Sequence, residues 1–139
     1  VASIVGFAAA LELMQKEKIK ENKRIQQLRD YFIAEVLTRI PDTFLNGHPL
    51  KRLPNNAHFC FAGVEGEAVV RHLSQKRIYV SSGSACSAQE IEVSHVLKAI
   101  KAVHTLGGVR FSLGKDTRKE ELKYVVKILQ EVVGSLRKV

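Results

Sequence analysis

Apolar residues recur at helical spacing through the first forty positions. Ile4, Phe7 (or Ala8), Leu11 and Met14 form one set, and Ile25, Leu28, Phe32, Val36 and Ile40 a second. A Lys- and Glu-rich stretch over 15–24 separates them, and Pro41 ends the run. The pattern predicts one long helix with an apolar patch at each end. The second patch can pack on the rest of the chain, whereas nothing in the sequence shows what covers the first. Further on, Asn46-Gly47 after Phe44-Leu45 marks a turn. His58-Phe59-Cys60-Phe61 then reads as a strand, 63–66 as a loop, and 67–74 as a helix with Ala68, Val69, Val70 and Leu73 apolar. Ile78-Tyr79-Val80 reads as a second strand and 93–103 as a short helix striped by Val96, Leu97 and Ile100. Val109-Arg110-Phe111-Ser112-Leu113 alternates with period two, the signature of a third strand. In the last segment Thr117 and Glu120 have capping-box spacing, and Leu122, Val125, Val126, Leu129, Val133 and Leu136 share one helical face.

The predicted order is helix, strand, helix, strand, helix, strand, helix. Its expected fold is an α/β (α+β) two-layer sandwich, a small antiparallel or mixed sheet of about three strands covered by helices. With 139 residues, 45% of them hydrophobic, the chain fits a single domain, 1–139, able to bury a core. No apolar run reaches the roughly 18 residues of a membrane-spanning helix, so no membrane partner is expected. The two cysteines, Cys60 and Cys86, make no disulfide framework and point to a reducing compartment. Lys and Arg number 22 against 14 Asp and Glu, a net charge of +8 that favours an acidic partner without naming one. The basic pairs Lys51-Arg52 and Lys76-Arg77 lack an aromatic stacking platform, which leaves nucleic acid a low-ranked partner. The chain also starts at Val1, inside a helical pattern, which suggests a piece of something longer.

Ser81, Ser82, Gly83, Ser84, Ala85, Cys86 and Ser87 stand out as a segment with almost no side-chain bulk, able to move and approach a ligand. On composition alone, Cys86 is equally an exposed reactive thiolate or an inert residue in a small-residue turn. Cys60, between two phenylalanines, reads as a small hydrophobe in or along a sheet. Arg110 interrupts an apolar strand and falls on the face opposite Val109, Phe111 and Leu113. It is either a solvated arginine or a rigidly held carboxylate clamp. His48, His58, His72, His95 and His104 lack zinc-site spacing, so no metal is expected. No phosphate loop or dinucleotide fingerprint occurs.

The string from Ser81 to Cys86 resembles the active-cysteine loop of cysteine desulfurases of the NifS/IscS type. These are pyridoxal-phosphate enzymes of the class V aminotransferase family. Asn46-Gly47, Pro54-Asn55, Val64-Glu65-Gly66-Glu67, His95-Val96-Leu97, Ala99-Ile100 and Val109-Arg110-Phe111-Ser112-Leu113-Gly114 follow in family order. The resemblance implies the C-terminal small domain of a fold-type I transferase. It casts Cys86 as the nucleophile that takes sulfur from L-cysteine as a persulfide. Arg110 becomes the carboxylate anchor, and Ser81, Ser82, Gly83, Ser84, Ala85 and Ser87 the flexible loop that carries Cys86.

The family's Schiff-base lysine and ring-stacking histidine belong to a large N-terminal domain not matched here. Pyridoxal phosphate is therefore expected in the intact parent, with no cofactor-binding residue in this chain, which alone is expected to be inactive. The implied parent is a cytoplasmic homodimer serving iron–sulfur cluster assembly or other sulfur transfer to an acceptor or scaffold protein. A stand-alone sulfur-carrier or interaction module is the alternative. The chain departs from the family pattern in having Val93 where Pro is common, Lys101 where Gly is usual, and a shorter connection from Ile100 to Arg110.

Overall fold

The computed structural model describes residues 1–82, 95–102 and 107–138. Its elements run α1 (Ala2–Arg39), β1 (Thr43–Leu45), β2 (Asn56–Phe61), α2 (Gly66–Gln75), α3 (His95–Ala99), β3 (Gly108–Ser112) and α4 (Lys119–Leu136). The strands form one antiparallel sheet in the order β1-β2-β3, with helices packed against it, the two-layer α/β arrangement expected.

Period two sorts the sheet residues. Ala57, Phe59 and Phe61 of β2 and Val109 and Phe111 of β3 turn to the helices and are buried. There Phe32 meets Phe59 at a 5.8 Å centroid separation and Phe111 at 5.1 Å, both edge to face. Val36 and Ile25 of α1, Val69 and Leu73 of α2, and Leu122, Val126, Leu129 and Val133 of α4 complete the cluster. The apolar stripes expected for α1 beyond position 25 and for α4 are the faces that pack. In α3 only Leu97 of the expected stripe is buried; Val96 and Ile100 are exposed. Of α1, residues 1–20 stand exposed, and Arg24 ties the helix to the chain before α4 through the carbonyls of Lys115 and Thr117.

One of the three expected strands, the second, is not where the sequence pattern put it. Ile78-Tyr79-Val80 is not a strand, and β1, too short to show a period, supplies the third. The cause lies at the end of α2. Ile78 N–H bonds back to Leu73 O and Arg77 N–H to Ser74 O, with Arg77 left-handed at φ 60°, a Schellman motif that occupies the backbone of 77–78. Pairing with β3 begins only at Ser81, which bridges Arg110.

The N-terminus of α4 is likewise shifted by one residue from the expected Thr117/Glu120 box. Arg118 is the cap position and its N–H donates to the Glu121 carboxylate at 2.8 Å, while Thr117 Oγ1 accepts from Gly114 N–H in the preceding turn.

Glycine is required where β3 starts. A Cβ on Gly107 would lie 2.3 Å from the Phe61 carbonyl oxygen, and one on Gly66 2.4 Å from that of Gly108. These contacts seat the β2–α2 turn against β3 with no room for a side chain.

Candidate functional site

The site lies on the sheet face away from the phenylalanine core. Arg110 projects there from β3, as its alternation with Val109 and Phe111 requires, and is exposed. Directly across on β2 stands His58. Arg110 spends both backbone groups on the outer side: its N–H donates to Ser81 O at 2.7 Å and its carbonyl accepts from Ser81 N–H at 3.2 Å. His58 turns its carbonyl the other way, to Asn46 N–H at 2.8 Å. Arg110 and His58 therefore form a non-hydrogen-bonded antiparallel pair, the kind whose side chains stand closest.

Asn46, 6% exposed, organises the neighbourhood. Its side-chain Nδ2 reaches His58 Nδ1 at 2.8 Å and Cys60 Sγ at 2.9 Å, and its carbonyl accepts from Arg52 Nη2 at 2.7 Å. Arg52 is held by the loop between β1 and β2. That loop is clamped to α1 by Arg29, 2% exposed, whose guanidinium bonds the Leu53 carbonyl at 2.8 Å and Asp30 at 2.6 Å. Arg52 Nε and Nη1 are buried and have no hydrogen-bond partner among the described residues.

Burial is the leading cause of both shifted titrations at this site. Burial, then the Arg110 and Arg52 guanidiniums, pushes His58 down from 6.5 to about 4, so the ring is neutral at pH 7. Burial pushes the Cys60 thiol up, against the Asn46 hydrogen bond, which makes it a poor nucleophile. Cys60 is buried as expected for a small hydrophobe, but on the polar face rather than among the phenylalanines.

The remaining site residues of the sequence reading divide at position 82. Ser81 is bridged to Arg110, and Ser82 follows, half-buried; Gly83, Ser84, Ala85, Cys86 and Ser87 lie outside the described residues. The strand positions of His58 and Cys60 carried the signal that they share a face with Arg110. Asn46 and Arg52 gave none, because their place depends on the fold of a loop. Among the described residues, no group of three or more His, Cys, Asp or Glu is placed to hold a metal ion, and no helix is long and apolar enough to cross a membrane.

A fold of helices over one face of a small antiparallel sheet, with an arginine at the edge of the opposite face, finds its match among transferases. The chain belongs to the aminotransferase class-V family, whose model matches residues 1–125. It is 48% identical over 139 residues to the cysteine desulfurase IscS of Dictyoglomus turgidum, covering 99% of this chain and 35% of that protein. To the cysteine desulfurase NifS of Azotobacter vinelandii it is 39% identical over 140 residues, covering 99% and 35%. Among solved structures, a NifS-like protein superposes with a TM-score of 0.81 at 26% identity, over 95% of this chain and 33% of that one. The chain thus spans about a third of the length of the relatives it matches.

Pyridoxal phosphate, the cofactor implied by the family resemblance, needs a lysine seated beside it. Every lysine of this chain is exposed, and the candidate site contains none. The residues present do not fit the group, and no step through it is assigned to them.

Proposed function

We propose that residues 1–139 form the C-terminal small domain of a cysteine desulfurase. In this reading Arg110 holds the carboxylate of L-cysteine, and Cys86 takes up its sulfur. The exchange balances without an external oxidant. The substrate C–S bond breaks, the carbon gains hydrogen to give L-alanine, and an S–S bond forms on Cys86 as a persulfide. Pyridoxal phosphate is part of the proposal as a cofactor held by sequence outside these residues. So are a homodimeric parent, a cytoplasmic location, and an acceptor or scaffold protein that takes the sulfur toward iron–sulfur clusters or other products.

The single observation that carries the reading is the two-way backbone bridge between Ser81 and Arg110. It fixes the root of the Ser81–Ser87 segment to the residue proposed as anchor. Four residues lie between Ser81 and Cys86, five steps of chain with a reach of at most about 18 Å. In this reading the proposed sulfur-accepting Cys86 stays within that reach of the proposed carboxylate site. A guanidinium on a paired strand supplies a stiff, bidentate hold for a carboxylate, whereas a tether of small residues lets a thiolate meet first substrate and then acceptor.

Peptide mass spectrometry of the full-length gene product after turnover of L-cysteine tests this. The Cys86 peptide is expected to gain about 32 Da, one sulfur atom. Sulfide release that survives Cys86→Ser unchanged would remove the assignment.

A further inference from the structure

We infer that His58 is a second carboxylate-binding residue, a neutral donor that works beside Arg110 through its Nε2–H, and that Asn46 is the positioning residue that sets its tautomer. The inference rests on the reading of Arg110 as a carboxylate anchor and adds to it.

Three observations carry it. The first is register: His58 and Arg110 face each other in a non-hydrogen-bonded pair, so both side chains leave the sheet together on the polar face. Second, the Asn46 amide is oriented with Nδ2, which can only donate, toward His58 Nδ1 at 2.8 Å, and in that orientation Nδ1 is the acceptor. The neutral ring then carries its proton on Nε2, pointing away from Asn46, and among the described residues no acceptor takes it. The third is charge. Burial disfavours the charged ring, and Arg110 and then Arg52 add to that, so His58 stays uncharged at neutral pH and does not compete with Arg110 as a cation.

A neutral N–H beside a guanidinium suits a carboxylate, whose two oxygens offer about four lone-pair sites to be shared between the two donors. His58 is thereby assigned a share in selecting the planar carboxylate of an amino acid.

The test uses the full-length gene product with L-alanine as probe and L-alaninamide, which lacks the carboxylate, as control. Nitrogen-15 NMR reads the His58 ring and the Arg110 Nε–H. In the free chain His58 is expected to show the Nε2–H tautomer, and Asn46→Leu is expected to mix the tautomers. L-alanine is expected to shift both the His58 Nε2 and the Arg110 signals, and the amide neither. His58→Leu is expected to weaken L-alanine binding about tenfold, the equivalent of one hydrogen bond. His58→Gln, which keeps a side-chain donor, is expected to recover most of that loss. If Arg110 responds and His58 does not, the inference fails while the anchor stands. If neither responds, the anchor reading fails with it. Unchanged binding in a folded His58→Leu chain also overturns the inference.

Discussion

Lowering the pH through the range in which free histidine titrates should weaken the fold through His58 in particular. In the unfolded chain this ring takes up a proton near 6.5, whereas in the folded chain it resists until about 4. Its depressed folded value means that the unfolded state holds more protons in between. The stability that His58 contributes is therefore fully present above 6.5 and is lost as the pH falls towards 4. For a fully shielded ring the loss over that window would be about 3.4 kcal/mol. The ring is only partly buried, and solvent screening reduces this to about 1.5–2 kcal/mol. The groups that bear on it are Arg110 from β3, Arg52 from the β1–β2 loop, and Asn46, which also bonds Cys60 two residues along β2. Urea unfolding at about pH 7 and about pH 4 measures the effect, with His58→Gln removing the titrating group. The wild-type chain is expected to lose about 1.5–2 kcal/mol more than the variant between the two conditions. Equal losses in the two chains would refute the picture of a neutral imidazole kept uncharged by burial and by the charges of Arg110 and Arg52.

Three further outcomes follow from packing and backbone geometry. Phe32→Ala removes a fully buried ring with two edge-to-face partners and should cost about 4–5 kcal/mol in urea unfolding; a loss below about 2 kcal/mol would show that the α1–sheet seam is looser than described. Gly107→Ala drives a Cβ into the Phe61 and Val64 carbonyl oxygens and should cost about 3 kcal/mol, whereas Gly134→Ala, in an open helical position, should add about 0.5–1 kcal/mol to the unfolding free energy. Lys101→Gly should stabilise by about 1 kcal/mol, read as a higher midpoint and slower amide exchange in α3, because Lys101 sits at φ 52°; a lower midpoint would argue against the left-handed turn.

That last position shows how a departure from a family pattern acquires a physical cause. Ala102 N–H bonds to Leu97 O and Lys101 N–H to Lys98 O, the same Schellman closure that ends α2 at Arg77. The left-handed residue of this motif is usually glycine, and the resemblance drawn from the sequence marks Lys101 as standing where glycine is usual. The helices were legible for a different reason. Each long one buries a single stripe, so Ile25, Phe32 and Val36, or Leu122, Val126 and Leu129, announce both helix and face. Strands proved harder. Ile78-Tyr79-Val80 has β-forming composition, yet the helix-ending turn before it takes up the backbone, and a three-residue strand such as β1 carries no readable period. Of the site, Arg110 and its face could be read from alternation alone. The Asn46–His58–Cys60 contacts could not, since they depend on strand register and on a loop clamped by Arg29, a charge hidden in an apolar helix face.

Strand geometry also decides what kind of site this sheet can build. An antiparallel residue directs its N–H and carbonyl to the same side, so Arg110 cannot bond both Ser81 and His58 through its backbone. It bonds Ser81, and this choice has two consequences. On the inner side, the Arg110 and His58 side chains are left as a close pair, with no backbone hydrogen bonds between them to set a wider spacing. On the outer side, the chain that continues toward Cys86 is attached at the guanidinium-bearing residue itself rather than at a distant corner of the fold. A substitution that lengthened the path between Ser81 and Cys86 would then leave the anchor intact while diluting the thiol around it. Under the proposed function, inserting Gly-Ser pairs after Ser82 should lower the rate of persulfide formation on Cys86 while leaving the half-saturating concentration of L-cysteine nearly unchanged. If substrate affinity fell in step with the rate, anchor and tether would have to be coupled more tightly than a single backbone bridge permits.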